Sequence, residues 1–177
     1  MQTFLPSTLF KQSAKWLDNQ RLGKQRVECM QILKALSDSN YGWQNHPAVN
    51  MWRGYEWSLW GYAAEIIYEW KRRGYKDTCW LKICKLIDNF DEGVMTIPPW
   101  LTEDFASNHR AILLGKAYES DTAKFDEWIA NYPNTTLYKK FEKAEKVLNW
   151  YQSLRWTEQP ATRDESNKWP YIWPVKE

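Results

Sequence analysis

Residues 18–36 read DNQRLGKQRVECMQILKAL and carry a clear helical pattern. The apolar residues recur at spacings of seven, four and three, which places one set on a single face: Leu22, Cys29, Leu33 and Leu36. Polar residues at spacings of three, four and three fall on the opposite side: Arg21, Lys24, Glu28 and Gln31. Because Asp18 or Asn19 suits the N-cap, the pattern predicts a helix to about Leu36, in which Gly23 is a mild local cost.

Helical periodicity continues on both sides of this segment. Pro47 suits the first position of a long central helix that ends at Gly74, and its broad apolar arc is typical of the centre of a helical domain. Further helices are expected around Phe10, over Thr78–Asn89, from Thr102 through Lys116, and twice between Tyr118 and Arg155. The tail WPYIWP, residues 169–174, contains two prolines and is not helical.

Composition restricts the class of protein. A chain of 177 residues with 44% hydrophobic and 26% charged residues suits one globular domain. No apolar run approaches the ~18 residues of a membrane span, and the N-terminus lacks the pattern of a signal peptide, so we expect a cytoplasmic protein that does not contact a membrane. Cys79 and Cys84 are five apart and the two histidines are isolated, which predicts neither a metal site nor a cofactor.

Aromatic and charged residues each allow two interpretations. The 13 tryptophans favour core packing first and base stacking second. A net charge of +2 is too small to indicate nucleic-acid binding by itself. From composition alone, the polar face of residues 18–36 resembles a solvated helix surface, with Lys24 and Glu28 as an i,i+4 pair.

Three motifs stand in a recognisable order. Gln20-Arg21-Leu22 is followed after five residues by Glu28, the phrase HPAVNMWRGY occupies residues 46–55, and the basic run KRRGYKDT occupies residues 71–78. In this order they resemble the catalytic helix, the central helix and its basic exit in the pyrimidine-dimer DNA glycosylases of the endonuclease V type. The phrases PPWL, NHR and YIWP look still closer to uncharacterised bacterial and phage relatives of that family. The resemblance covers about residues 1–116 and the aromatic tail.

The resemblance implies a compact all-α protein that excises a damaged or modified pyrimidine from duplex DNA, with abasic-site lyase activity as a further possibility. In that family an unprotonated N-terminal amine attacks the sugar carbon that carries the base and forms a Schiff base. An α-amine suits this step because its ordinary pKa of ~7.7–8.0 lies far below the ~10.4 of a lysine. The resemblance assigns to Glu28 the role of general acid and base.

Three alternatives remain for the nucleophile. The family's amine belongs to a threonine exposed by methionine removal, whereas Gln2 stands here, and its bulk disfavours removal of Met1. Either Met1 supplies its own amine, or Lys24 substitutes for it, or Glu28 activates water together with Asp18 without a covalent step.

The expected DNA contacts follow from the same resemblance. Basic side chains would hold phosphates around an extruded nucleotide, and one amide would contact a base edge. The candidates are Arg21, Arg26, Gln31, His46, Arg53, Arg72, Arg73, His109 and Arg110. Stacking candidates are Trp43, Trp52 and Trp173. Val27 stands where the family has an arginine, and His46 also suits a helix cap. His109 and Arg110 equally suit a surface ion pair with Glu103 or Asp104.

The expected organisation is one monomeric domain with three parts. Residues 1–116 form an endonuclease V-like core, residues 117–168 an inserted helical region, and residues 169–177 an aromatic tail. Two other functions remain open: a non-catalytic protein that sequesters or inhibits by binding a nucleotide or base, and an N-glycosidase that acts on a free nucleoside or nucleotide. Gln2 counts against the DNA glycosylase, and Glu28 counts against the binding protein.

Overall fold

The computed structural model describes residues 1–121 and 136–174. All regular secondary structure in these residues is helical, which confirms the predicted all-α class. The helices are α1 (Phe10–Trp16), α2 (Asn19–Ser37), α3 (Pro47–Trp52), α4 (Glu56–Arg72), α5 (Trp80–Ile87), α6 (Glu103–Asp121) and α7 (Thr136–Ser153). Within the described residues, none of these helices is long and apolar enough to cross a membrane.

The chain forms two compact units. The first contains Met1–Ala106 and the end of the chain from Ile172, and the second contains Ser107–Tyr171. Helices α1 to α5, with the motifs at residues 20–28, 46–55 and 71–78, therefore lie in the first unit. The single domain and its division after residues 116 and 168 remain predictions.

The first unit is built on the packing of α2 against α4. The apolar face predicted for α2 is buried at Leu22, Cys29 and Leu33, and only Leu36 is partly exposed. Opposite it, the rings of Trp52 and Tyr62 stack with their centroids 6.1 Å apart. The packing of this core determines which face of α2 is buried and which face carries the polar residues.

The predicted continuous helix from Pro47 to Gly74 is wrong. The chain leaves the helical conformation at Arg53, and Gly54 has a φ of +83°, in the region that favours glycine. A new helix, α4, then starts at Glu56. Its predicted end is confirmed, because Gly74 has a φ of +85° and its N–H donates to the Lys71 carbonyl, as at a glycine C-cap.

In the second unit, α6 packs closely against the irregular chain that follows α7. A Cβ at Gly115 would lie 2.0 Å from the Ala161 carbonyl oxygen, so only glycine fits this approach. The Ala161 N–H donates to the Ala111 carbonyl oxygen at 2.9 Å, and the cationic groups of Lys116 and Arg163 lie 4.5 and 4.8 Å from the Trp169 ring.

Gly23 in α2 has a packing reason. A Cβ at this position would lie 2.9 Å from two carbons of the Trp70 ring. The same ring stacks on Tyr75 at 4.1 Å, and the Arg26 guanidinium lies 4.3 Å from its centroid. Glycine therefore lets α4 approach α2, and this offsets its low helix propensity.

We expect Gly23→Ala to lower the free energy of unfolding by about 1 kcal/mol. Alanine gains about 1 kcal/mol in helix propensity, but overpacking against an immobile ring costs about 1–3 kcal/mol. Urea denaturation measures the difference. Gly42→Ala is the control, because no atom lies within 4 Å of its added Cβ. A Gly23→Ala protein as stable as the parent would contradict this account.

Candidate active site

The first five residues form a segment without regular secondary structure that is buried at Thr3, Phe4 and Leu5. The Trp52 indole N–H donates to the Thr3 hydroxyl at 3.0 Å. The Tyr62 hydroxyl donates to the Phe4 carbonyl oxygen at 2.6 Å. The N-terminus therefore lies in a fixed position on the first unit.

Gln25 of α2 holds the same segment from a second side. Its Oε1 accepts the Phe4 N–H at 2.9 Å, and its Nε2 donates to the Gln2 carbonyl oxygen at 3.1 Å. The Gln25 side chain is buried. Because each end of the amide has its own partner, residues 2–4 run along α2 in one register.

Glu28 lies one turn further along α2, beneath the chain terminus. Its Oε2 accepts the Gln2 N–H at 3.1 Å and lies 4.0 Å from the α-amino nitrogen of Met1. Its Oε1 lies 3.6 Å from the Nζ of Lys24. Since Glu28 is only 6% exposed, it does not belong to a solvated helix face.

The two amines near Glu28 differ in environment. The Lys24 side chain is 71% exposed, whereas the Met1 side chain is 5% exposed. Met1 as a whole residue is nevertheless partly exposed, so its accessible surface belongs mainly to the main chain, which carries the amine. The structure thus brings together the predicted Met1, Lys24 and Glu28.

His46 belongs to the same cluster. Its Nδ1 accepts the Ala48 N–H at 3.1 Å and caps α3, which leaves the proton of the neutral ring on Nε2. Burial lowers the pKa of His46 from its ordinary value, the positive charge of the N-terminus lowers it further, and the charge of Glu28 opposes both. His46 is therefore uncharged at neutral pH, close to the amine and the carboxylate.

Two of the predicted stacking residues flank His46. The Trp43 ring lies 5.8 Å and the Trp173 ring 6.4 Å from the imidazole, both edge-on, and Trp43 is 55% exposed. The third, Trp52, is completely buried against Tyr62, so its ring fills the core. Arg53 is exposed and donates to the Gln44 carbonyl oxygen, in the loop that carries Trp43.

Asp18 is the N-cap of α2 and forms an ion pair with Arg21. Asp18 accepts the N–H groups of Gln20 and Arg21 through Oδ1, and its Oδ2 lies 2.8 Å from the Arg21 guanidinium. Ten residues of helix separate Asp18 from Glu28, a rise of about 15 Å. The structure therefore confirms the N-cap and does not bring the two carboxylates together.

Several predicted phosphate contacts are ion pairs within the first unit. Arg26 pairs with Asp77 at 2.7 Å. Arg72 and Arg73 each donate to the buried Glu69, whose pKa burial would raise and these hydrogen bonds lower below the ordinary value. Arg73 also donates to the Leu17 and Lys15 carbonyl oxygens, so it joins the end of α4 to the end of α1.

His109 and Arg110 lie in the second unit and are both buried. Arg110 pairs with Glu158, with its Nε 2.6 Å from Oε1. The His109 ring contacts Tyr171 edge-on at 5.9 Å, and burial lowers its pKa to about 3. Both side chains therefore pack in the core of this unit.

A groove between α2 and α5 begins one turn beyond Glu28. This α2/α5 groove has a volume of about 500 Å³. Its lining residues are Met30, Gln31, Lys34, Tyr41, Lys82, Lys85 and Leu86. The charged side chains among them are all lysines, and the three lysines are exposed. Only Gln31 of this set was predicted as a binding residue.

Residues 1–83 match the sequence profile of the family described as pyrimidine dimer DNA glycosylase. The matched family is one of DNA glycosylases, and the match covers α1 to α4 and the first residues of α5. Over these residues the chain is similar to the pyrimidine dimer DNA glycosylase family, which confirms the predicted resemblance. The match includes Met1, Glu28 and His46 and ends before residue 116. No curated protein and no solved structure matches the chain.

Sequence reasoning missed Gln25 and the lysines of α5. Gln25 lies between Leu22 and Cys29 in the apolar stripe of α2, and a buried polar side chain in such a stripe needs partners. A polar residue in this apolar stripe was therefore a sequence signal from which the role of Gln25 could have been predicted. No sequence signal identified Lys82 and Lys85, because their position near Lys34 depends on how α5 packs against α2.

We expect His109 to make the fold acid-sensitive. Its pKa is about 3 in the folded chain and about 6.5 when unfolded, so below pH 6.5 the unfolded state binds a proton that the folded state does not. The free energy of unfolding should therefore fall by about 2 kcal/mol from pH 7 to pH 5, and His109→Gln should remove that part of the dependence. Urea denaturation of both proteins across this range measures it. Parallel pH profiles would contradict the assignment.

Proposed function

We propose that the protein is a DNA N-glycosylase that removes a damaged or modified pyrimidine, with the α-amine of Met1 as nucleophile and Glu28 as general acid and base. The observation that carries the proposal is the distance of 4.0 Å between the Met1 nitrogen and Glu28 Oε2. The family match over residues 1–83 supports the substrate class.

The first step is a substitution at the sugar. The lone pair of the Met1 amine forms a bond to C1′ while the bond from C1′ to the base nitrogen breaks, and the base leaves with that electron pair and takes up a proton. Glu28 accepts the proton that the amine releases, since its Oε2 faces the nitrogen. Cleavage of the bond from C1′ to the ring oxygen, with proton transfer to that oxygen, then gives the Schiff base.

A lyase step can follow from the same intermediate. A proton lost from C2′ and departure of the 3′ phosphate would cleave the strand, and Glu28 is the carboxylate positioned beside the Schiff base nitrogen. Its negative charge stabilises the cation in a site largely shielded from water. A single buried carboxylate can therefore serve both steps.

Met1 is the favoured nucleophile over the two alternatives. Lys24 lies 3.6 Å from Glu28 Oε1, but its long side chain is 71% exposed and not fixed by packing. Activation of water by Glu28 with Asp18 needs two carboxylates that lie about 15 Å apart along α2. Met1 is attached to a segment held by four side chains: Gln25, Glu28, Trp52 and Tyr62.

The rings around His46 offer a place for the extruded nucleotide. The exposed face of Trp43 and the Trp173 ring suit stacking with a base, and the neutral His46 can donate from Nε2 to a polar atom of the nucleotide. Arg53, exposed beside this loop, suits a phosphate. These roles extend the cluster at Glu28 into a substrate site.

The α2/α5 groove suits the DNA backbone beside that nucleotide. Three lysines from two helices surround an apolar floor that contains Tyr41, and Gln31 stands at the end nearest Glu28. Phosphate contacts of this kind supply sequence-independent affinity. A near-neutral chain needs such a local concentration of positive charge.

Borohydride trapping tests the covalent step. With duplex DNA that contains a pyrimidine dimer or an abasic site, we expect a reduced adduct that peptide mass spectrometry maps to Met1. Glu28→Gln keeps an acceptor for the Gln2 N–H but loses the base, so the trapping rate should fall at least about 100-fold with nearly unchanged DNA affinity. Glu92→Gln, the same change at an exposed loop position, is the control.

Each other result points elsewhere. An adduct on Lys24 moves the nucleophile, and base release without an adduct overturns the covalent mechanism. If neither adduct nor base release occurs on dimer-containing and modified-pyrimidine duplexes, the glycosylase proposal fails, and nucleotide binding without chemistry or action on a free nucleoside remains.

Salt dependence tests the α2/α5 groove. If Lys82 and Lys85 contact phosphates, replacing both by glutamine should reduce the slope of log K against log salt by about 1.8, or about 0.9 for each contact. Lys11→Gln with Lys15→Gln, two exposed lysines on α1, gives the same change in net charge and should leave the slope close to that of the parent. Equal slopes for both double variants would exclude the groove from the DNA contact.

A further inference from the structure

The side-chain amide of Gln25 is hydrogen-bonded to the protein's own main chain. Gln25 is 1% exposed and lies between the apolar Leu22 and Cys29 on the buried face of α2, where a helix usually carries an apolar side chain. A buried polar side chain at such a position needs an explanation other than helix packing.

The partners of Gln25 fix the orientation of its amide. The Phe4 N–H can only donate, so the atom 2.9 Å away from it is the oxygen. The Gln2 carbonyl can only accept, so the atom 3.1 Å away is the nitrogen. The Tyr62 hydroxyl, which donates to the Phe4 carbonyl, lies 3.0 Å from the same Gln25 oxygen.

We propose that Gln25 is a positioning residue that holds the α-amine of Met1 against Glu28 through the main chain of Gln2. The Gln25 amide binds the Gln2 carbonyl on one side of residue 2, and Glu28 binds the Gln2 N–H on the other. With both polar groups of residue 2 held by α2, the preceding nitrogen has little freedom. This inference rests on the proposed role of the amine.

The two hydrogen bonds that Gln25 and Glu28 make to residue 2 form a clamp. This clamp raises the rate of adduct formation by orienting the amine. A free N-terminus samples many φ and ψ values, and few of them place the nitrogen 4.0 Å from Glu28 Oε2. Holding a nucleophile near its attack geometry raises its effective concentration. Gln25 touches neither the amine nor the substrate site, so its effect should appear in the rate of adduct formation and not in DNA affinity.

The clamp also sets the local charge. Gln25 supplies a neutral amide where a glutamate would occupy the same volume. A carboxylate there would keep the acceptor for the Phe4 N–H, lose the donor to Gln2, and favour the protonated, unreactive form of the nearby amine. Glu28 already places one carboxylate 4.0 Å from the amine, and the neutral Gln25 adds no second negative charge to this segment.

Two substitutions test these effects in single-turnover trapping. We expect Gln25→Leu to lower the trapping rate about 10-fold or more, with the dissociation constant for DNA within about twofold of the parent. We expect Gln25→Glu to move the half-maximal trapping rate to a pH about one unit higher. Tyr62→Phe, which removes the bond to the Phe4 carbonyl, should lower the rate without moving the pH midpoint.

Ser58→Ala is the matched control. Ser58 is a buried residue of α4, one turn before Tyr62, and its hydroxyl donates to the Thr96 carbonyl oxygen at 2.6 Å, away from the N-terminal segment. Its loss should lower stability and leave the trapping rate and its pH midpoint unchanged. A parental rate in Gln25→Leu, or a parental pH midpoint in Gln25→Glu, overturns the assignment, as does an equal rate loss in Ser58→Ala.

A measurement without DNA separates this inference from the proposed function. Reductive methylation of the Met1 amine by formaldehyde and borohydride, followed by mass spectrometry against pH, reports the reactivity of the amine itself. Gln25→Glu should shift this profile to higher pH even if the parent protein traps no DNA. If DNA trapping fails in the parent, the function is wrong; if the methylation profile does not shift, the role of Gln25 is wrong.

Discussion

The hydrogen bond from the Gln2 N–H to Glu28 is the interaction on which the site depends. A carboxylate that is 6% exposed needs a donor or a cation. Here the chain terminus supplies the N–H at 3.1 Å and an amine at 4.0 Å, and Lys24 supplies a second amine at 3.6 Å. The N-terminal segment in turn is held by Gln25, Tyr62 and Trp52, which belong to the core of α2, α3 and α4. The fold and the candidate site therefore share the same residues.

The sequence predicted the helices better than their interruptions. The apolar stripe of α2 and the glycine that ends α4 follow from local periodicity and local backbone preference, so both were predictable. The break between α3 and α4 was not, because a single glycine inside an apolar arc is compatible with a continuous helix. Gly54, with a φ of +83°, separates α3, which carries Trp52, from α4, which carries Tyr62.

The charge or aromatic character of a residue was a poor predictor of whether it belongs to the candidate site. Arg26, Arg73 and Arg110 fit a phosphate clamp by residue type, yet each pairs with a carboxylate in its own unit: Asp77, Glu69 or Glu158. Trp52 fits a stacking platform, yet it lies in the core. Ion pairing and burial depend on residues distant in the sequence, so neither was visible from one segment. The grouping of Met1, Lys24 and Glu28 came from the resemblance, and the geometry agrees with it.

The grip of Gln25 on residue 2 involves peptide groups alone, the carbonyl and, through Glu28, the amide N–H. These hydrogen bonds do not depend on which side chain residue 2 carries. A helix that holds its neighbour in this way tolerates drift at that position over evolutionary time, provided that the new residue is not proline, which lacks the N–H. The glutamine at position 2 is thus compatible with the hydrogen bond from its N–H to Glu28.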